Sequence, residues 1–125
     1  MPDPQEDIYY KVHMNKRKVG DRGESEAVQY LEEQGLHILE RNFRTREGEI
    51  DIVAEDGNVL VFFEVKFRSS ARYGDALEAV DVRKQMKIRR MAREYLYLRH
   101  PGPRRMRFDV IGITAGKLTW IRDAF

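Results

Sequence analysis

Asp51, Glu64 and Lys66 stand inside a run, GEIDIVAEDGNVLVFFEVKFR, that is otherwise strongly apolar. Charges are disfavoured within strands, and burying them without partners is costlier still. If the run is a hairpin turning at Asp56-Gly57, Glu55 faces Asn58, Asp51 faces Phe62 and Glu49 faces Glu64. Facing residues share a side of the sheet, as do residues two apart along one strand. One side then carries Ile50, Ile52, Ala54, Val59, Val61, Phe63, Val65 and Phe67, all apolar. The other carries Glu49, Asp51, Val53, Leu60, Phe62, Glu64, Lys66 and Arg68. Asp51 and Glu64 are diagonal neighbours there, within reach of one bound ion. Two chemistries satisfy the pattern. Lys66 and Arg68 could neutralise the acids in cross-strand pairs, or the two carboxylates could hold a divalent cation beside a lysine.

The elements around the hairpin bear on that choice. GDRGESEAVQYLEEQG reads as a helix with Asp21 as cap and Gly35 as stop. Glu24 is in line with its apolar stripe of Ala27, Val28, Tyr30 and Leu31, whereas Glu26 points away from it. A glutamate on a core-facing stripe is unusual, and packing of the helix on the sheet would bring it over the acidic side of the hairpin. A role as first-turn partner of the helix dipole accounts for it equally. LHILERNF reads as a strand and residues 44–48 as a polar turn into the hairpin. SSARYG reads as a loop. From Ala76 to Leu98 the apolar spacing predicts one long amphipathic helix, broken by RHPGPRR. MRFDVIGIT, a turn at AGK, and LTWIR make a second hairpin. The order α-β-β-β-α-β-β predicts an α/β domain, a mixed sheet flanked by helices.

At 125 residues the chain is one domain, with residues 20–125 as its folded part and residues 1–19 as a flexible arm made basic by Lys16, Arg17 and Lys18. Met14 is a second candidate start. The net charge of +2 conceals a strong asymmetry. Residues 47–64 hold six acids and no base, and residues 83–107 hold ten bases and one acid, Glu94. An acidic pocket beside a basic surface suits a cation and a polyanion bound together. The absence of cysteine removes disulfides, thiolate zinc sites and thiol nucleophiles, and fits a reducing cytoplasm. No apolar run approaches a membrane span, and the N-terminus lacks a signal-peptide core. His13, His37 and His100 have no metal-ligand spacing, Ser25, Ser69 and Ser70 have no nucleophile setting, and GDRGE is too short to cradle a phosphate.

Taken together, EIDIV and FFEVKFR resemble the PD-(D/E)xK nuclease motif, with Asp51, Glu64 and Lys66 in its charged positions and Ile50 where the motif has proline. With GDRGESEA, RNFRTREGEID, EAVDVRKQMKI and RFDVIGI added, the chain resembles the YraN-like family of small bacterial proteins over about residues 16–122. That resemblance implies a restriction-endonuclease-like fold and a nuclease site similar to that of archaeal Holliday-junction resolvases. It implies Asp51, Glu64 and the Val65 carbonyl as ligands of Mg²⁺ or Mn²⁺. Lys66 would orient or deprotonate the attacking water, and Glu24 would complete the site. Arg68, Lys84, Lys87 and Arg107 are candidate phosphate contacts, and Arg107 with Asp109 a supporting ion pair. The implied partner is branched or structured DNA, engaged by a homodimer. The alternative is a nucleic-acid-binding protein whose nuclease site is vestigial.

Overall fold

The computed structural model describes the backbone of residues 16–68, 80–114 and 117–125, with side chains at 23–67, 80–113 and 117–125. Helix α1 (Lys16–Glu33) leads into strands β1 (His37–Thr45), β2 (Gly48–Asp56) and β3 (Val59–Arg68). Helix α2 (Val82–Arg99) then precedes β4 (Met106–Thr114) and β5 (Lys117–Ile121). The strands form one sheet in the order β1-β2-β3-β4-β5. Only β3 and β4 run parallel among these neighbours. A parallel pair needs a crossover, and the segment carrying α2 supplies it. The result is the expected α/β architecture, a mixed sheet flanked by helices, of the restriction-endonuclease-like kind.

Both faces of the central strands are apolar, so each must be covered. Ile52, Ala54, Val61, Phe63, Ile111 and Ile113 pack with Ala27 and Leu31 of α1. Val53, Leu60, Phe62, Phe108 and Val110 pack with Ile88, Met91, Ala92 and Tyr95 of α2. The phenol ring of Tyr95 meets Phe43 and Phe62 edge-on, with centroids 5.2 and 5.6 Å away. The side of the hairpin read above as mixed is therefore core at its turn end and charged only at the other.

Three details depart from the sequence reading. The hairpin pairs Asp56 with Val59 and Val53 with Phe62, a shift of two residues from the register expected. Gly57, at φ 60, is the first central residue of the turn, which the II′ geometry demands of glycine. Because the shift is even, the expected division of faces survives along the paired residues. Helix α1 begins at Lys16 rather than near Asp21, and residues 1–15 lie outside the described residues. Its contact line runs through Gly23, where a Cβ would stand 3.3 Å from Ile113 Cδ1, so the helix lies close against β4. That line brings Glu26 under cover, at 8% exposure, instead of pointing it away. Helix α2 begins at Val82 instead of Ala76, because the Asp81 side chain caps it by accepting the Lys84 N–H at 2.9 Å. Residues 69–79, with Leu77 and Glu78, lie outside the described residues.

Asp109 ties the far end of the sheet together. Fully buried on β4, it accepts from Arg107 Nε at 2.9 Å, Trp120 Nε1 at 2.9 Å and the Asp123 N–H at 2.9 Å. Arg107 also reaches Asp56 at 2.9 Å, joining β4 to the β2–β3 turn. Removing one partner of such a network leaves the others buried and unpaired. Asp109→Ala is expected to lower the unfolding free energy by about 3 kcal/mol in urea titrations. A loss well under 1 kcal/mol would mean that water replaces the carboxylate.

Candidate metal centre

Beyond the turn, β2 and β3 part company. Their pairing runs from Asp56↔Val59 to Ile52↔Phe63, and Val65 N–H donates to Asp51 Oδ2 at 2.7 Å. The same point disturbs β1. Asn42, at φ 54, lies between the pairs Arg41↔Ile52 and Phe43↔Ile50. Ile50 and Phe43 belong to the cluster under α2, while Ile52 belongs to that under α1 and Arg41 Nη2 reaches Ser25 of α1 at 3.3 Å. Residues two apart thus face opposite sides, which a left-handed residue in a strand brings about. Ile50 accordingly leaves the apolar side on which strict alternation put it. Asp51 sits where the alternation slips.

The slip gathers carboxylates. One oxygen from each of Glu24, Glu49 and Asp51 lies within 4.8 Å of the others. Glu24 comes from α1 and the other two from β2, and all three are half-buried. Such an acidic triad can bind a metal. Burial first, then the charge of Glu64, pushes the Asp51 carboxyl up to about 8, against the hydrogen bond from Val65; Glu24 and Glu49 add to the rise. Three hard oxygen donors held together at this electrostatic cost are a set that Mg²⁺ or Mn²⁺ fits.

Glu64 stands apart from that triad, on the side covered by α2. Its Oε1 is 3.1 Å from Lys66 Nζ and 3.2 Å from Lys84 Nζ, and its side chain is only 6% exposed. Burial draws the Lys84 ammonium down, yet the charge and hydrogen bond of Glu64 outweigh it and hold it above the usual lysine value. Acids and lysines therefore interleave across the point where the strands part.

The structure brings Glu24, Asp51, Glu64, Lys66 and Lys84 to one end of the sheet. It places Val65 there through its N–H. Lys87 lies along α2 against the β1–β2 turn, its Nζ 3.4 Å from where a Cβ on Gly48 would be. Arg107 is elsewhere: it pairs with Val61 in the ladder and turns to Asp109 and Asp56 at the opposite end. The side chain of Arg68 lies outside the described residues. Several bases of the expected polyanion surface are engaged within the fold. Arg90, Arg99 and Arg104 pair with Glu47, Glu40 and Glu55, and Arg89 lies over the rings of Phe108 and Phe125. Arg83, Arg93 and Arg105 are exposed. Glu49 was not singled out from the sequence, although its place two residues before Asp51 on the charged side was the available signal.

A model of the uncharacterised protein family UPF0102 matches residues 23–113. Curated UPF0102 proteins are similar over most of their length. That of Halorhodospira halophila is 49% identical over 109 residues, covering 87% of this chain and 88% of the relative. That of Stutzerimonas stutzeri is 44% identical, covering 85% and 92%. That of Persephonella marina is 44% identical, covering 85% and 91%.

A carboxyl raised in the fold opposes ionisation, so its contribution to stability is complete below its ordinary value of 3.8 and is lost as pH climbs through about 8. Glu40, Glu47 and Glu55 are held below the usual carboxylate value by hydrogen bonds from Arg99, Arg90 and Arg104, so their effect is complete by mildly acidic pH. The unfolding midpoint of the metal-free protein should therefore fall between about pH 5 and 9. Asp51→Asn, which keeps an acceptor for Val65, should flatten that fall. Parallel pH profiles in denaturant titrations would contradict the assignment.

Proposed function

The chain belongs to the UPF0102 family, the YraN-like group, and we propose that it is a metal-dependent endonuclease acting on branched or structured DNA. The observation that carries this reading is the triad of Glu24, Glu49 and Asp51 within 4.8 Å, with Lys66 held at the same strand end. Hard cations take oxygen ligands, and among the described residues this is the group that offers three together. When bound, Mg²⁺ or Mn²⁺ supplies a water that is nucleophilic near neutral pH and offsets charge on the phosphate.

The remaining work falls to the chain's own groups. Asp51 is fixed by the Val65 N–H, so its free oxygen is aimed without rotamer search. Glu24 and Glu49 complete the triad from α1 and β2, with Glu64 and the Val65 carbonyl as the further oxygens that the family resemblance implies. Lys66, whose ammonium Glu64 holds at this end of the sheet at 3.1 Å before a ligand binds, orients the attacking water and stabilises negative charge on the phosphate. Lys84 and Lys87 line the α2 side of the entry, and Arg68 follows Lys66 by two residues on β3; these contact flanking phosphates. Arg107 keeps the structural place described above and contributes at most at the margin of a long substrate. No helix of the described residues is long and apolar enough to cross a membrane. The reading puts the protein in the cytoplasm with DNA, as a homodimer by the same resemblance.

Labelled four-way, flap and linear DNA, incubated with Mg²⁺ or Mn²⁺, tests the proposal. Cleavage should require the cation and fall at least about 100-fold in both Asp51→Ala and Lys66→Ala. If the wild type binds these DNAs but cuts none, and both variants bind as well, the catalytic reading fails. The fold would then be a nucleic-acid-binding module with a vestigial site.

A further inference from the structure

Glu64 stands between two lysines and a group of acids. Its Oε1 lies 3.1 Å from Lys66 and 3.2 Å from Lys84, while its charge bears directly on Asp51. A phosphate needs the two ammonium groups. A cation beside Asp51 attracts the carboxylate that occupies them. Both ligands therefore shift the same residue the same way, off the lysines and toward the acids.

We infer that Glu64 is an exchangeable brace that couples cation binding to phosphate binding. With neither ligand present, it neutralises Lys66 and Lys84 and keeps the pair in place. A cation at the triad draws the Glu64 carboxylate toward Asp51 and frees both ammonium groups for a phosphate. A phosphate on the lysines displaces Glu64 toward the triad, where its charge strengthens the hold on the cation. Coupling of this kind is reciprocal by thermodynamic necessity. It makes Lys84, which comes from α2 rather than from the hairpin, a partner of Lys66 in holding phosphate. It also gives Glu64 a positioning role in the absence of substrate. The inference rests on the nuclease reading but concerns binding alone, so it can fail while that reading stands.

The test is the anisotropy of a labelled DNA duplex titrated with the full chain, with and without millimolar Ca²⁺, at matched ionic strength. Ca²⁺ takes the same oxygen ligands and is a weaker Lewis acid, so binding is read apart from cleavage. In the wild type, Ca²⁺ should tighten DNA binding about tenfold. Glu64→Gln should bind DNA tightly without Ca²⁺, because its lysines are already released, and gain less than about twofold on adding it. Lys84→Met should lose most of the Ca²⁺ response and Lys84→Arg should keep it, with unfolding midpoints checking that each variant folds. If Glu64→Gln keeps the whole response, the coupling is bulk electrostatics and the exchange is overturned. If calorimetry shows Ca²⁺ bound while wild-type DNA affinity does not rise, the coupling is overturned and the nuclease reading survives. If neither ligand binds, both fall together.

Discussion

The hydrogen bond from Val65 N–H to Asp51 Oδ2 stands where a main-chain partner would continue the β2–β3 ladder, and the charged end of the sheet follows from it. A backbone donor in a half-buried position must be satisfied. Here a side-chain carboxylate does this, so the strands can separate without leaving that donor unpaired. Separation makes room for charged side chains beside the apolar clusters that cover both faces of the sheet. The same bond orients Asp51. One interaction thus ends a ladder and orients a carboxylate, while burial and the charge of Glu64 push the Asp51 carboxyl up against it.

Everything around the parting of β2 and β3 serves to hold it open and supported. Helix α1, drawn close to β4 at Gly23, carries Glu24 to one side of the parting strands. Helix α2, capped by Asp81, carries Lys84 to the other. At the opposite end of the sheet, Asp109 binds Arg107, Trp120 and the backbone of Asp123, closing the last strands on the first hairpin. The pairs Glu47–Arg90, Glu40–Arg99 and Glu55–Arg104 fasten β1, β2 and the turn between them to α2 and its following loop. Much of the basic sequence is therefore architectural. Lys66 and Lys84 instead share the Glu64 carboxylate where β2 and β3 part.

Much of this was readable from residues alone, and the exceptions are physical. Element order and the two-sided division of the hairpin follow from apolar periodicity, which folding must respect. Its register does not, because Asp56-Gly57 and Gly57-Asn58 are both good hairpin turns; Asp56, which pairs with Val59 and does not take positive φ, lies in the strand and leaves the turn to Gly57-Asn58. Asp51, Glu64, Lys66 and Glu24 were identified by charge in apolar settings and by motif resemblance. Strict alternation sets Glu49 facing Glu64, as one more acid for Lys66 and Arg68 to neutralise. The slip at Asn42 and Asp51, which no periodic pattern contains, turns it toward Glu24 instead. Glu26 was misplaced for a related reason. The contact line of α1 runs through a glycine, and glycine leaves no mark on an apolar stripe.

The proposal stands or falls on whether the carboxylates gathered where β2 and β3 part bind a divalent cation. A crystal structure with Mn²⁺, using anomalous scattering to locate the ion, decides it. One strong peak is expected among the carboxylates of Glu24, Glu49 and Asp51, with Glu64 moved from Lys66 and Lys84 toward it. A Mn²⁺-saturated crystal with no peak there, and Glu64 still bridging the two lysines, would contradict it.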